Sequence, residues 1–275
     1  MSELIVKPVE IPNQKKSKKP LGYNLFPDLY SSIYICAGTK SGKTTLINHI
    51  LEYCIDERTT VYIYCPTVEI DPTYEHIIKQ LDKRGIKAIV NMHYLDEKDN
   101  NLLEEHIKPL YKPDDEPAEV VGRGPMIGKR IVNGAVVEVY QQLPEQPNKP
   151  QQKKKYSAPK NLFLFDDLAE DMRSPIVYKL LSKQRHFKAK TIISTQSVKD
   201  LHPKAIKQLF YCIVFGGQTD KVLEDLYNAL AMRAVTLDQF MKYYKTATQK
   251  KYDFLYIDIR RVIFKHNFTD VLYSK

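Results

Sequence analysis

A chain of 275 residues is the right length for one large α/β domain or two small ones. At 43% hydrophobic and 27% charged residues it carries enough apolar mass for a packed core, which excludes a disordered chain. The net charge of +9 favours a polyanionic partner, although much of the excess lies in the lysine runs at 15–19 and 153–155, which read as solvated segments.

Residues 1 to about 20 hold three prolines and a lysine cluster without periodicity, the pattern of a flexible basic arm. "SIYIC" (32–36) then predicts a buried strand, and Ile47, Ile50, Leu51 and Cys54 repeat at helical spacing after it. "TVYIYC" (60–65) is a second strand stopped by Pro66, "PTYEHIIKQLDKRG" (72–85) a helix ending at Gly85, and "KAIVNMHY" (87–94) a third strand. Eight of the sixteen prolines fall between Pro109 and Pro159. Within that stretch "GKRIVNGAVVEVY" (128–140) reads as a β-hairpin turning at Asn133-Gly134, so 109–159 is expected to be an insertion. "NLFLFDD" (161–167), "AKTIISTQ" (189–196) and "LFYCIVF" (209–215) predict three more apolar strands, and "DFLYIDI" (253–259) an edge strand. Near-continuous apolar strands alternating with helices argue for an α/β fold with a mostly parallel sheet covered on both faces.

Cys36, Cys54, Cys65 and Cys212 show no paired spacing and lie in apolar surroundings, so they read as core thiols rather than metal ligands or disulfides. The longest apolar run is far short of a membrane span and no apolar leader opens the chain. The expectation is a soluble, non-secreted protein without membrane insertion.

The chemistry gathers at strand ends. Ala37-Gly38-Thr39-Lys40-Ser41-Gly42-Lys43-Thr44-Thr45 joins the first strand to its helix and fits a phosphate-binding loop with alanine in place of the first glycine. Such a loop wraps backbone N–H groups around phosphates, Lys43 reaches the β- and γ-phosphates of ATP, and the Thr44 hydroxyl ligates Mg²⁺. Asp166 and Asp167 end the strand at 161 where ligands bind in such sheets. Asp166 suits the metal, and Asp167 suits either a general base for the attacking water or the cap of a following helix. Gln196, with Thr195 as the other choice, stands at the tip of the next strand, where a polar group senses the γ-phosphate. Arg185 follows the intervening helix and fits either a partner of that helix's negative end or an arginine finger acting on a neighbouring subunit. His186 beside it reads as structural.

In this order, "AGTKSGKTT" (37–45), "FLFDDL" (163–168), "QRH" (184–186) and "TQS" (195–197) followed by "LHPKAIKQ" (201–208) resemble the FtsK–HerA superfamily of DNA-pumping ATPases. Within it the likeness is greatest to the genome-packaging ATPases of large eukaryotic DNA viruses (poxvirus-like), virophages and Polinton-type elements. It spans about residues 30–217. The resemblance implies a three-layer P-loop NTPase of the RecA/FtsK type and a homo-oligomeric ring, pentamer or hexamer, with ATP at its subunit interfaces. It also implies translocation of double-stranded DNA into a preformed capsid, hence capsid proteins as partners and a place in the host cytoplasm, a viral factory or the virion. Lys43, Asp167, Gln196 and Arg185 are the expected catalytic residues; the resemblance supports Asp167 in that role, although glutamate is commoner at its position. Residues 21–275 would form the ATPase domain. Lys129, Arg130, Lys242, Lys245, Lys250 and Lys251 are candidate DNA contacts. A small-molecule kinase or a non-motor assembly factor on the same loop are the alternatives.

Overall fold

The computed structural model describes residues 18–94, 101–111, 123–132, 135–142, 156–168 and 171–275. Its frame is a nine-stranded sheet built from β1 (Ser32–Cys36), β2 (Thr60–Tyr64), β3 (Ala88–Asn91), β4 (Asn161–Asp166), β5 (Ala189–Thr195), β6 (Tyr211–Phe215), β7 (Phe254–Asp258), β8 (Ile263–His266) and β9 (Asp270–Ser274). The order across the sheet is β9-β8-β7-β6-β1-β5-β4-β2-β3. The six strands from β6 to β3 run parallel, and β7, β8 and β9 continue the sheet antiparallel.

Alternation along each strand divides the core between two faces. Ile33 and Ile35 of β1 join Val61, Ile63, Leu162, Leu164 and Ile192 under helices α1 (Lys43–Cys54) and α2 (Pro72–Lys83). On the opposite face Tyr34 and Cys36 meet Phe163, Phe165 and Ile193. That side is covered by α3 (Leu102–Ile107), α4 (Pro175–Ser182), α5 (Pro203–Ile206), α6 (Asp220–Ala229) and α7 (Leu237–Ala247). Cross-strand aromatic pairs fix the register there: Tyr62 stacks on Phe163 with centroids 4.6 Å apart, and Tyr64 on Phe165 at 5.1 Å. Each such pair adds about 0.5–1.5 kcal/mol beyond its buried area. All four cysteines are buried and free.

Local signals set the helix ends. Asp71 caps α2 through Thr73 N at 2.8 Å, with Pro72 at the first position. Gly85 ends it at φ +67°, where Gly85 N donates to Asp82 O and Ile86 N to Leu81 O, the paired bonds of a Schellman motif.

Three sequence expectations change. The strand predicted at 253–259 is not at an edge: β7 is fully buried between β6 and β8, and the edge falls to β9. Residues 101–111 form α3 and a following 3-10 turn that pack on the core through Leu103, Ile107 and Tyr111, the last against Phe187. Pro159 likewise belongs to the body, its carbonyl accepting from Thr59 Oγ1 at 2.7 Å. Of the expected arm, Lys19–Pro20 pair in parallel with Tyr156–Ser157. The predicted hairpin consists of Arg123–Val132 and Ala135–Gln142, antiparallel with Val132 opposite Ala135, which leaves a two-residue connection. The Asn133-Gly134 turn, residues 1–17 and the lysines at 153–155 lie outside the described residues. No described helix is long and apolar enough to cross a membrane.

Candidate functional site

The strand order places the predicted site residues at one end of the sheet. β5 lies between β1 and β4, so the loop after β1, the acids after β4 and the tip of β5 emerge side by side at the carboxyl ends. This is where open parallel sheets bind ligands.

The loop starts from Ala37, still in the ladder through Ala37 N to Thr195 O at 3.2 Å and buried, so its methyl group fits the strand end. Lys40 (φ +60°) and Gly42 (φ +97°) adopt left-handed backbone that turns the chain into α1. Gly42 is the helix N-cap and has no side chain to satisfy the first N–H groups, and no acid lies in the first turn. Helices α2 to α7 are each capped by a side-chain acceptor. The amino end of α1, with its partial positive charge, is thus kept for an external anion.

Lys43, in the first turn of α1, reaches both acids. Its Nζ lies 3.0 Å from Asp166 Oδ1 and donates a hydrogen bond to Asp167 Oδ2. Burial alone would lower the pKa of Lys43, but the charges of Asp166 and Asp167 and the hydrogen bonds to them outweigh it and raise it. The two carboxylates differ in setting. Asp166 is buried, its Oδ2 accepting from Tyr74 Oη at 2.7 Å, whereas the Asp167 side chain is 41% exposed. Burial and the adjacent Asp166 charge hold the Tyr74 pKa well above the ordinary tyrosine value, so the phenol remains a donor. Asp167 has φ +55°, a left-handed conformation that Asp tolerates better than most residues, and its N–H bonds Ser194 O at 3.2 Å. The tight turn re-aims its side chain out of the strand line towards Lys43.

At the β5 tip the two candidate sensors separate. Thr195 is buried, its hydroxyl engaged with Ser197 O at 2.9 Å and Tyr34 Oη at 3.1 Å. Gln196 is exposed and lines the same cleft as Lys43, Thr44 and Asp167. That cleft, about 840 Å³, is also bounded by Thr39, Lys40, Gly42 and Thr45, and by the aromatic Phe215, Tyr252 and Phe254.

The residues present fit Mg²⁺. Asp166 Oδ1 is buried and has Lys43 at ion-pair distance but no aligned hydrogen-bond donor, and the Thr44 side chain borders the same cleft. Buried carboxylate and hydroxyl oxygens are the hard donors that this ion takes alongside phosphate oxygens.

Arg185 is not brought to this cleft. Gln184 O accepts from Ala189 N, and Arg185 O from Lys188 N, which fixes Arg185 at the amino end of β5. The seven residues of β5 span about 23 Å, so Arg185 stands at the opposite pole of its own subunit. Its side chain is exposed, as is that of His186, which was expected to be structural. A larger cleft of about 1270 Å³ lies at that pole, lined by Lys18, Arg58, Lys183 and His186 among others, and holds none of the predicted phosphate or metal residues.

Sequence reasoning missed Tyr74, Tyr252, Phe215 and Phe254. Tyr74 meets Asp166 across 92 residues, a separation that no local pattern encodes. Lys251, considered for DNA, borders this cleft, while Lys242 and Lys245 are exposed on α7. Lys129 and Arg130 lie in the hairpin strand opposite Glu138 and Val137. No cluster of three or more metal-ligating side chains of the His, Cys, Asp and Glu types occurs among the described residues.

No protein-family model matches the chain, and neither does any curated protein. Among solved structures, the chain is similar to B204, the DNA-packaging ATPase of Sulfolobus turreted icosahedral virus, at 16% identity over 86% of this chain and 95% of that one, with a TM-score of 0.49. It is also similar to the genome-packaging NTPase B204 of Sulfolobus turreted icosahedral virus 2. The complex with AMPPCP gives 14% identity, 86% and 97% coverage and a TM-score of 0.47. The complex with ATP-γS gives 15%, 86% and 96%, and 0.49.

Proposed function

We propose that this protein is an ATP-hydrolysing translocase of double-stranded DNA, the motor that packages a viral genome into a preformed capsid. The observation that carries the hydrolytic part is the convergence of Lys43 on Asp166 and Asp167 beneath an uncapped helix end. The motor part is supported by the resemblance of the four motifs, in order, to the FtsK–HerA packaging ATPases, poxvirus-like and virophage types included. Residues 21–275 are proposed as one ATPase domain that works in a homo-oligomeric ring, with the chain before Lys18 and the stretch at 112–155 as accessories. Its partners would be duplex DNA and capsid proteins, in host cytoplasm, viral factory or virion.

The triphosphate would lie on the N–H groups of residues 38–45, against the positive end of α1. Lys43 would then exchange a carboxylate partner for β- and γ-phosphate oxygens. That exchange frees Asp167, whose carboxylate takes a proton from water as the water oxygen attacks the γ-phosphorus. The bond from phosphorus to the ADP oxygen breaks, and ADP leaves with its electron pair. Thr44 and Asp166 would hold Mg²⁺, which when bound neutralises charge on the β- and γ-phosphates. Tyr74 keeps Asp166 oriented, and Gln196 is placed to contact the γ-phosphate or the water. The exposure of Asp167 favours attack by water over transfer to a bound acceptor, since a kinase must keep water out.

Inorganic phosphate release, measured without any acceptor, tests the chemistry. Asp167→Asn should lower turnover by about 10²-fold or more while nucleotide binding persists. Unchanged turnover in this variant, or stoichiometric phosphorylation of an added acceptor by the native protein, would contradict the hydrolytic reading.

A further inference from the structure

The residues assigned to the triphosphate leave one wall of the cleft without a role. That wall is aromatic: Tyr252, Phe254 and Phe215. Tyr252 is the unusual member. It is a large side chain, 57% exposed, on a backbone with φ +75°. A ring free to face water needs no left-handed backbone, so the turn has a cost that burial of the ring does not repay.

The turn is nonetheless firmly held. Asp253 N donates to Lys250 O at 3.1 Å, and Asn267 Nδ2 donates to Asp253 Oδ1 at 3.1 Å. Asn267 Oδ1 accepts from Phe254 N at 3.1 Å, so the residues after Tyr252 are tied into β7. The ring is thereby set over the phosphate loop. A Cβ placed on Gly42 would come within 3.0 Å of Tyr252 Cδ1 and 3.8 Å of Phe215 Cε1. The Nζ of Lys251 lies 4.8 Å from the ring centroid.

Beyond this wall the cleft continues, through the shared residues Leu46, His49 and Phe254, into an adjoining groove of about 780 Å³ lined mainly by apolar groups. A ligand anchored by its phosphates at residues 38–45 could thus direct its other end across an exposed aromatic ring, on a backbone turn held by hydrogen bonds, towards an apolar recess. A nucleobase has the matching chemistry, a flat π-system joined to a triphosphate by a short sugar.

We infer that Tyr252 is the platform on which the base of a nucleoside triphosphate stacks, with Leu46, His49 and Phe254 enclosing it. This rests on the nucleotide reading of the cleft and adds the part of the substrate that the phosphate loop does not hold. Lys251 shares the ring face or yields it to the base and then lies beside the sugar and phosphates.

Binding of ATP and of inorganic tripolyphosphate is measured by calorimetry on the full-length protein, native and variant. Tyr252→Asn suits the test because Asn tolerates the left-handed backbone and cannot stack, and loss of an exposed ring leaves no cavity. It should weaken ATP binding about tenfold, within the range for one base stacked on an aromatic ring, and leave tripolyphosphate binding unchanged. Tyr252→Phe should restore ATP affinity. Equal ATP affinity in the native protein and Tyr252→Asn would overturn the inference while leaving the nucleotide site intact, and so would equal weakening of both ligands. Failure of the native protein to bind either ligand would instead overturn the nucleotide reading on which the inference depends.

Discussion

Two lysines show how placement sets the behaviour of one residue type. Lys43 is drawn to the carboxylates of Asp166 and Asp167, whose charges raise its pKa. Lys190, on β5, is fully buried and forms no ion pair among the described residues. Its Nζ donates to Asp28 O at 2.9 Å and Ser31 Oγ at 2.8 Å, which ties the segment before β1 to the sheet. Burial pulls its pKa down to about 8, against the smaller opposing influence of Cys54 and Asp28. In the unfolded chain a lysine titrates near 10.4. Between about pH 8 and that value the unfolded state binds more protons, so stability rises with pH, by up to about 1.4 kcal/mol per unit. Below pH 8 both states are protonated and the contribution is flat. Buried tyrosines with raised pKa values, such as Tyr64, act in the opposite sense above about pH 10, which bounds the useful window. Denaturant unfolding at pH 8 to 10 should show the native protein gaining stability relative to Lys190→Met, and parallel curves would contradict this account.

At the scale of elements, α4 decides what Arg185 can do. Pro175–Ser182 leaves the acidic end of β4 and returns to the amino end of β5, carrying Arg185 to the pole away from its own cleft. The neighbouring Arg260, near the end of β7, has a lowered pKa from burial and, against the pull of Asp28, from the charge of Arg185. A finger at that pole can serve only another subunit's site. Arg185→Ala should therefore retain ATP binding and lose most hydrolysis, by about 10³-fold for a finger contact. Mixing it with Lys43→Ala subunits should recover part of the activity, and absence of recovery would contradict action in trans. The strands and helices that position this site were legible because their signals are local: "SIYIC" at strand period, Gly42 and Gly85 at helix ends, Asp166-Asp167 after an apolar run. The interior place of β7 was not, because alternation marks burial but not which strands lie on either side. Nor was Tyr74, which reaches Asp166 across the fold, or Tyr252, an exposed ring at a turn outside any periodic pattern.

For the whole molecule, six parallel strands place the loop at 37–45, the two acids, Gln196 and Phe215 at one pole, and the start of the antiparallel extension brings Tyr252 and Phe254 to the same cleft. The proposed hydrolytic groups thus lie at one end and Arg185 at the other, a polarity that suits head-to-tail contacts in the proposed ring. Packing DNA calls for contacts to phosphates rather than bases, so the coupled activity should be independent of sequence and fall steeply with salt. The most direct measurement is displacement of a third strand from a DNA triplex by the size-resolved oligomer at low salt. The account predicts ATP-dependent displacement, abolished in Lys43→Ala and Asp167→Asn and absent with a non-hydrolysable analogue. ATP hydrolysis that proceeds on duplex DNA without ever displacing the third strand would contradict it.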